Sequence, residues 1–157
     1  MDIDRFWSIV DLTRQQAPRS IGEQAEVLRG ELDRLSIEDL LGFESAYTRA
    51  SHALYTWEIW RAADIIIGDT SEDVFADFRS WLISRGRSVY EEVVASADHG
   101  LAALELRDDG GEEVGAGEVF GAVAHEVYQS RTGVDLVDAL PDRPSADFLT
   151  FGPLALT

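Results

Sequence analysis

Leu40-Leu41-Gly42-Phe43-Glu44-Ser45-Ala46-Tyr47-Thr48-Arg49-Ala50-Ser51-His52-Ala53-Leu54-Tyr55-Thr56-Trp57 carries its large apolar residues at helical spacing. Leu40, Phe43, Tyr47, Ala50, Leu54 and Trp57 follow one another at alternating steps of three and four. A helix turns once in about 3.6 residues, so such side chains line one face, and that face is buried. A strand would need alternation at every second residue, and alternation is brief everywhere in this chain.

The same period extends in both directions. Upstream, Ser36-Ile37-Glu38-Asp39 opens the helix, with Asp where a capping box prefers Glu. Ser20-Ile21-Gly22-Glu23 has full capping-box spacing, and Ala25, Leu28, Leu32 and Leu35 follow it. A first helix is expected from Asp2 or Asp4 to Gln16, buried through Phe6, Ile9, Val10 and Thr13 and ended by Ala17-Pro18. Downstream, Ile59, Trp60, Ala63 and Ile66 or Ile67 carry a stripe to Gly68. We expect one helix to about Tyr55 and another to about Ile67, joined by a kink. Ser71 to Arg85 reads as a helix with Val74, Phe75, Phe78, Trp81 and Leu82 on one face. Val89, Tyr90, Val93 and Val94 mark the next, and Asp98 to Leu106 a short one.

Arg107 to Gly117 has the composition of a mobile surface loop. A last helix is expected from Glu118 to Thr132, lined by Phe120, Val123, Ala124, Val127 and Tyr128 and stopped by Gly133. The expected fold is therefore all-α: a compact array of seven or eight helices around an aromatic core. Residues 1–139 form one helical domain, and 140–157 an extended tail containing Pro141, Pro144 and Pro153.

Composition narrows the function. Thirty acidic against thirteen basic residues give −17, and all the basic ones are Arg. Such a chain repels phosphates, so direct nucleic-acid binding and docking on anionic lipid are not expected. A basic protein partner fits the sign of the charge. There is no Cys, which excludes disulfides, thiolate metal sites and a Cys nucleophile. No signal peptide and no membrane-length apolar run is visible, and a cytoplasmic location follows by elimination. Phe148, Leu149 and Phe151 make the tail a candidate contact for a second copy of the chain.

Three segments together resemble a known family: Trp60 to Gly68, Ser71 to Phe75, and Phe78-Arg79-Ser80-Trp81-Leu82-Ile83-Ser84-Arg85-Gly86-Arg87-Ser88-Val89-Tyr90. With Phe6-Trp7-Ser8-Ile9-Val10, Phe43 and Trp57-Glu58-Ile59-Trp60, the chain resembles the bacterial domain-of-unknown-function family 4240 over roughly residues 4–105. Glu72 and Asp73 stand where that family shows two Asp residues. The family has no established activity, so the resemblance implies none.

Among individual residues, Arg79 stands out, because it lies between Phe78 and Trp81 on a helix read as buried. A guanidinium held near a core either grips an anionic ligand or pairs with a carboxylate, and Asp64, Glu72 and Asp73 are near in sequence. Glu72 and Asp73 suit a helix start, and neighbours on a helix diverge by about 100°, so they do not naturally share an ion. His125-Glu126 has the beginning of a zinc-hydrolase helix motif, but Gln129 occupies the place of its second His. Asp98-His99 reads as a solvated turn. No phosphate loop, dinucleotide fingerprint or nucleophile elbow is present, and neither a metal nor a cofactor is expected. The leading expectation is a non-enzymatic interaction or regulatory module with an acidic surface. The rival is a small-ligand binder or enzyme with a site around Trp60, Asp64, Asp73, Arg79 and Tyr90.

Overall fold

The computed structural model describes residues 1–102 and 114–140. Among them every regular element is a helix. In order these are α1 (Ile3–Gln16), α2 (Ile21–Asp33), α3 (Ile37–Ala53), α4 (Trp57–Ile67), α5 (Glu72–Ser84), α6 (Arg87–Ala95), α7 (Ala97–Ala102), α8 (Glu118–Gly121), α9 (Val123–Thr132) and α10 (Leu136–Ala139).

The helix starts follow from local chemistry. The side chains of Asp2, Ser20, Ser36, Thr56 and Ser71 each accept the backbone N–H three residues on. Each thereby satisfies one of the donors a helix start leaves open. α6 is different, because Gly86 precedes it and offers no side chain. Asp11 of α1 supplies the cap instead, its Oδ1 accepting from Arg87 N at 2.9 Å. Gly86 has φ 101, and a Cβ there would come within 2.8 Å of that same oxygen, so both the backbone and the space require glycine.

The core is aromatic. Phe6, Phe43, Phe75, Phe78 and Phe120 are essentially sealed, with Trp7 and Trp81 beside them. Phe6 packs on Phe43 and Trp7 at 5.0 and 4.9 Å between ring centres, bringing α1 onto α3. Such ring pairs contribute about 0.5–1.5 kcal/mol each beyond their buried area. α5 runs through the middle, touching α1, α2, α3, α4, α6 and α8. Its face Phe75, Phe78, Trp81, Leu82 is fully buried, as the periodicity requires.

Several boundaries differ from the sequence reading. α3 stops at Ala53, and Thr56 caps a separate α4, so there is a break rather than a kink. Trp57, placed on the buried stripe by spacing, is half-buried because it already belongs to the new helix. The helix expected from Glu118 to Thr132 is interrupted at Ala122, and α10 follows it. The short helix expected from Asp98 begins at Ala97 and is described to Ala102. The loop expected over 107–117 is described only from Val114, which is buried. The tail from 141 onward lies outside the described residues.

Candidate functional site

The chemistry collects along one face of α3. Glu44, Tyr47 and Ser51 are spaced three and four apart, so they point the same way on successive turns. Each meets a partner from another helix. Glu44 Oε1 lies 3.0 Å from His125 Nε2 on α9. Tyr47 donates its hydroxyl to Ser80 Oγ on α5 at 2.5 Å. Ser51 accepts from Arg79 Nη1, through its carbonyl at 3.2 Å and its hydroxyl at 3.1 Å. The result is a polar seam through an otherwise apolar interface, one bond per turn.

Each end of the seam carries an unanswered polar atom. Glu44 Oε2 and Arg79 Nε are both buried without a hydrogen-bond partner. Burial raises the Glu44 carboxyl above its ordinary value, although His125 pulls it down. The hydrogen bond to Glu44 raises His125, against the opposing effect of burial. Burial also pushes the Tyr47 phenol well up, so it stays a neutral donor. Gly121 is packed against the seam, since a Cβ there would sit 2.7 Å from Ser80 Oγ and 2.9 Å from Tyr47 Oη.

Arg79 does not make the ion pair considered for it. Among the described residues no carboxylate oxygen lies within 4 Å of its guanidinium. It is held instead between the rings of Tyr55 and Phe75, at 4.7 and 4.8 Å from their centres. Burial lowers its pKa, and Tyr55, Tyr47 and Glu72 partly restore it. Glu72 is taken by Tyr55, whose hydroxyl donates to its two oxygens at 2.8 and 3.0 Å.

The other expected site residues divide around this cage. Trp60 joins it, stacking at a tilt on Phe75 at 4.5 Å and meeting Tyr55 edge-on at 6.3 Å. Tyr90 donates to Ala50 O at 2.8 Å, beside the Ser51 carbonyl that Arg79 holds. Two distant side chains thus bond adjacent carbonyls in the last turn of α3, where a helix leaves acceptors open and favours positive charge. The Leu54 N–H goes to Ser51 O in that tightened turn, not to Ala50 O. Asp64 is exposed, and its Oδ1 accepts from Thr70 N at 3.0 Å, closing the α4–α5 turn through Gly68 (φ 82) and Asp69 (φ 34). Asp73 is exposed in the first turn of α5.

Sequence reasoning missed Glu44, Ser51 and Ser80, and read Tyr47 only as core. His125 was weighed for a metal motif and lies instead against a carboxylate. Among the described residues no three His, Cys, Asp or Glu side chains are grouped to hold a metal ion. A groove of about 290 Å³ lies between Ala53 at the end of α3, Thr56–Ile59 at the start of α4, and Val93, Val94 and Ala97. No described helix is long and apolar enough to cross a membrane.

Neither the curated proteins nor the solved structures contain a match to the chain. The sequence model of a family described as a protein of unknown function, DUF4240, matches residues 1–130, which span α1 to most of α9 and contain the whole seam. The chain therefore belongs to the DUF4240 family.

Proposed function

We propose that this protein is a non-enzymatic, cytoplasmic interaction module whose acidic surface takes a basic protein partner. The observation that carries the reading is how its charges are used. Several of its described cations face inward or are already paired, while Arg19, Arg49 and Arg61 are exposed outside any ion pair among the described residues. Arg5 holds Asp39 at 3.1 Å, Arg29 holds Glu126 at 2.6 Å, and Arg87 bridges Asp4 and Glu91 at 2.7 and 2.8 Å. Arg79 and Tyr90, central to the rival reading, are spent on the end of α3.

The carboxylates are left in excess. Asp73, Asp77 and Glu118 have no ion pair among the described residues, and they act on one another across α5 and α8. Burial raises the Asp77 carboxyl first, and repulsion from Glu118 and then Asp73 raises it further. An approaching polycation relieves that repulsion and is steered from beyond contact distance.

Capture on the immobilised protein tests this. A discrete basic protein should be retained from lysate of the producing cell at low ionic strength and released by about 0.5 M salt, where screening reaches within a few ångströms. The triple change Asp73→Asn, Asp77→Asn, Glu118→Gln should weaken retention while leaving the helical circular dichroism unchanged. Retention of nothing at low salt, or equal retention by the neutralised variant, refutes the proposal.

A further inference from the structure

We propose that Glu44 and His125 form a proton-operated latch: while the pair shares a proton, α9 is held on α3, and loss of that proton lets α9 lift. The geometry joins a sealed group to an open one. The Glu44 side chain is 7% exposed and that of His125 38%, so the imidazole gives the buried carboxylate its route for exchanging protons with water. Among the described residues His125 is the one side-chain partner of Glu44, whose second oxygen is buried unbonded. Once the titrating proton leaves, neutral His125 can still donate Nε2–H to Glu44, but the buried carboxylate has lost its countercharge, which is costly. Without it, parting of α9 from α3 admits water to Glu44, opposed by the burial of Val123, Ala124, Val127 and Tyr128.

The surrounding charges leave this assignment intact. Asp135, at the start of α10, faces His125 and favours its charged form. From α2, Arg29 is engaged by Glu126 at 2.6 Å. On α3 the neighbouring Tyr47 is a neutral phenol bonded to Ser80 of α5. On the α1 side Arg5 is paired with Asp39, and from α8 Glu118 faces Asp77. No described cation can replace His125 beside Glu44.

The direction follows from the shifts. Both groups sit above their ordinary values, so the folded chain holds the proton more tightly than the unfolded chain. For each group the added stability is complete below its ordinary value, 4.5 for Glu44 and 6.5 for His125, and is lost as pH rises through the raised one, so the latch weakens with rising pH. The two groups titrate together, so one proton leaves the pair at that upper step.

Hydrogen exchange on the full chain reads this locally. Between pH 6 and 8.5 the opening constant of peptides from Val123–Thr132 should rise about five- to fiftyfold, after correction for the intrinsic pH dependence of exchange. Peptides from α6 (Arg87–Ala95) should change less than twofold. Glu44→Gln keeps a hydrogen-bonding group of the same shape and should flatten the dependence; His125→Gln should do the same from the other side. The latch is refuted if the native chain shows no pH-dependent opening of Val123–Thr132, if α6 opens in parallel, or if both variants keep the native slope.

Discussion

Truncating Arg79 tests whether that side chain serves the fold. Its hydrogen bonds to the Ser51 carbonyl and hydroxyl are charge-assisted, and such bonds contribute about 1.5–3 kcal/mol. Its position between the Tyr55 and Phe75 rings adds about 0.5–1 kcal/mol per face at partly exposed sites. Its charge at the C-terminal end of α3 adds about 0.3–1 kcal/mol. Against these stands desolvation, which is large enough to lower its pKa, and a buried Nε without a partner. Arg79→Met keeps the aliphatic volume and removes both the charge and its desolvation, so a net loss of about 1–2 kcal/mol is expected. Arg79→Ala also opens space between two rings and should cost about 3 kcal/mol. In a domain of this size that lowers Tm by about 6–12 °C. Urea unfolding followed by circular dichroism and tryptophan fluorescence measures both variants, with an unchanged m-value as the control for a common unfolded state. A loss below about 0.5 kcal/mol for Arg79→Ala refutes the reasoning, because surface substitutions do as little. A Met variant more stable than the native chain refutes it more informatively. The guanidinium would then be retained at a cost in stability, as a residue kept for ligand binding is.

Two further outcomes follow from the packing and the titrations. Gly117→Ala should destabilise by about 2 kcal/mol or more in the same unfolding assay, because its Cβ would meet the Asp77 carbonyl oxygen at 1.8 Å; Gly30→Ala, with nothing within 4 Å, should instead stabilise by about 0.5–1 kcal/mol. Phenolate absorbance at pH about 11 should stay below half that of the denatured chain, because burial holds Tyr55 and Tyr90 at about 12 and Tyr47 higher still.

Period and capping made most of the fold legible, because both are properties of neighbouring residues. Ser20, Ser36 and Ser71 each stand at the head of the helix they announce. The break between α3 and α4 was harder, because Trp57 continues the spacing of the stripe while belonging to the next helix. Asp11 capping α6 from α1 could not be read at all, since nothing in either segment names the other. The seam was hidden for a subtler reason. A helix face sampled at steps of three and four has two registers that share residues. Leu40, Phe43, Tyr47, Ala50 and Leu54 form one; Leu40, Glu44, Tyr47, Ser51 and Leu54 form the other. Periodicity counts the apolar members and assigns the polar ones outward, yet Glu44 lies as deep as its apolar neighbours. The available signal was polar residues in the second register of a buried stripe. It has physical content, because a buried polar group demands a partner. On this helix that demand falls on three side chains, and His125, Ser80 and Arg79 each answer one. An apolar face of equal volume would let α3 slide or rotate against α5 and α9 at small cost. Three bonds in fixed order do not, since a shift of one turn would leave Glu44 opposite a hydroxyl and strand His125. The seam therefore acts on the register of the helices as much as on their stability. Changing Tyr47 and Ser80 together to Phe and Ala should accordingly cost less stability than either change alone suggests, while broadening the tertiary packing around Phe78.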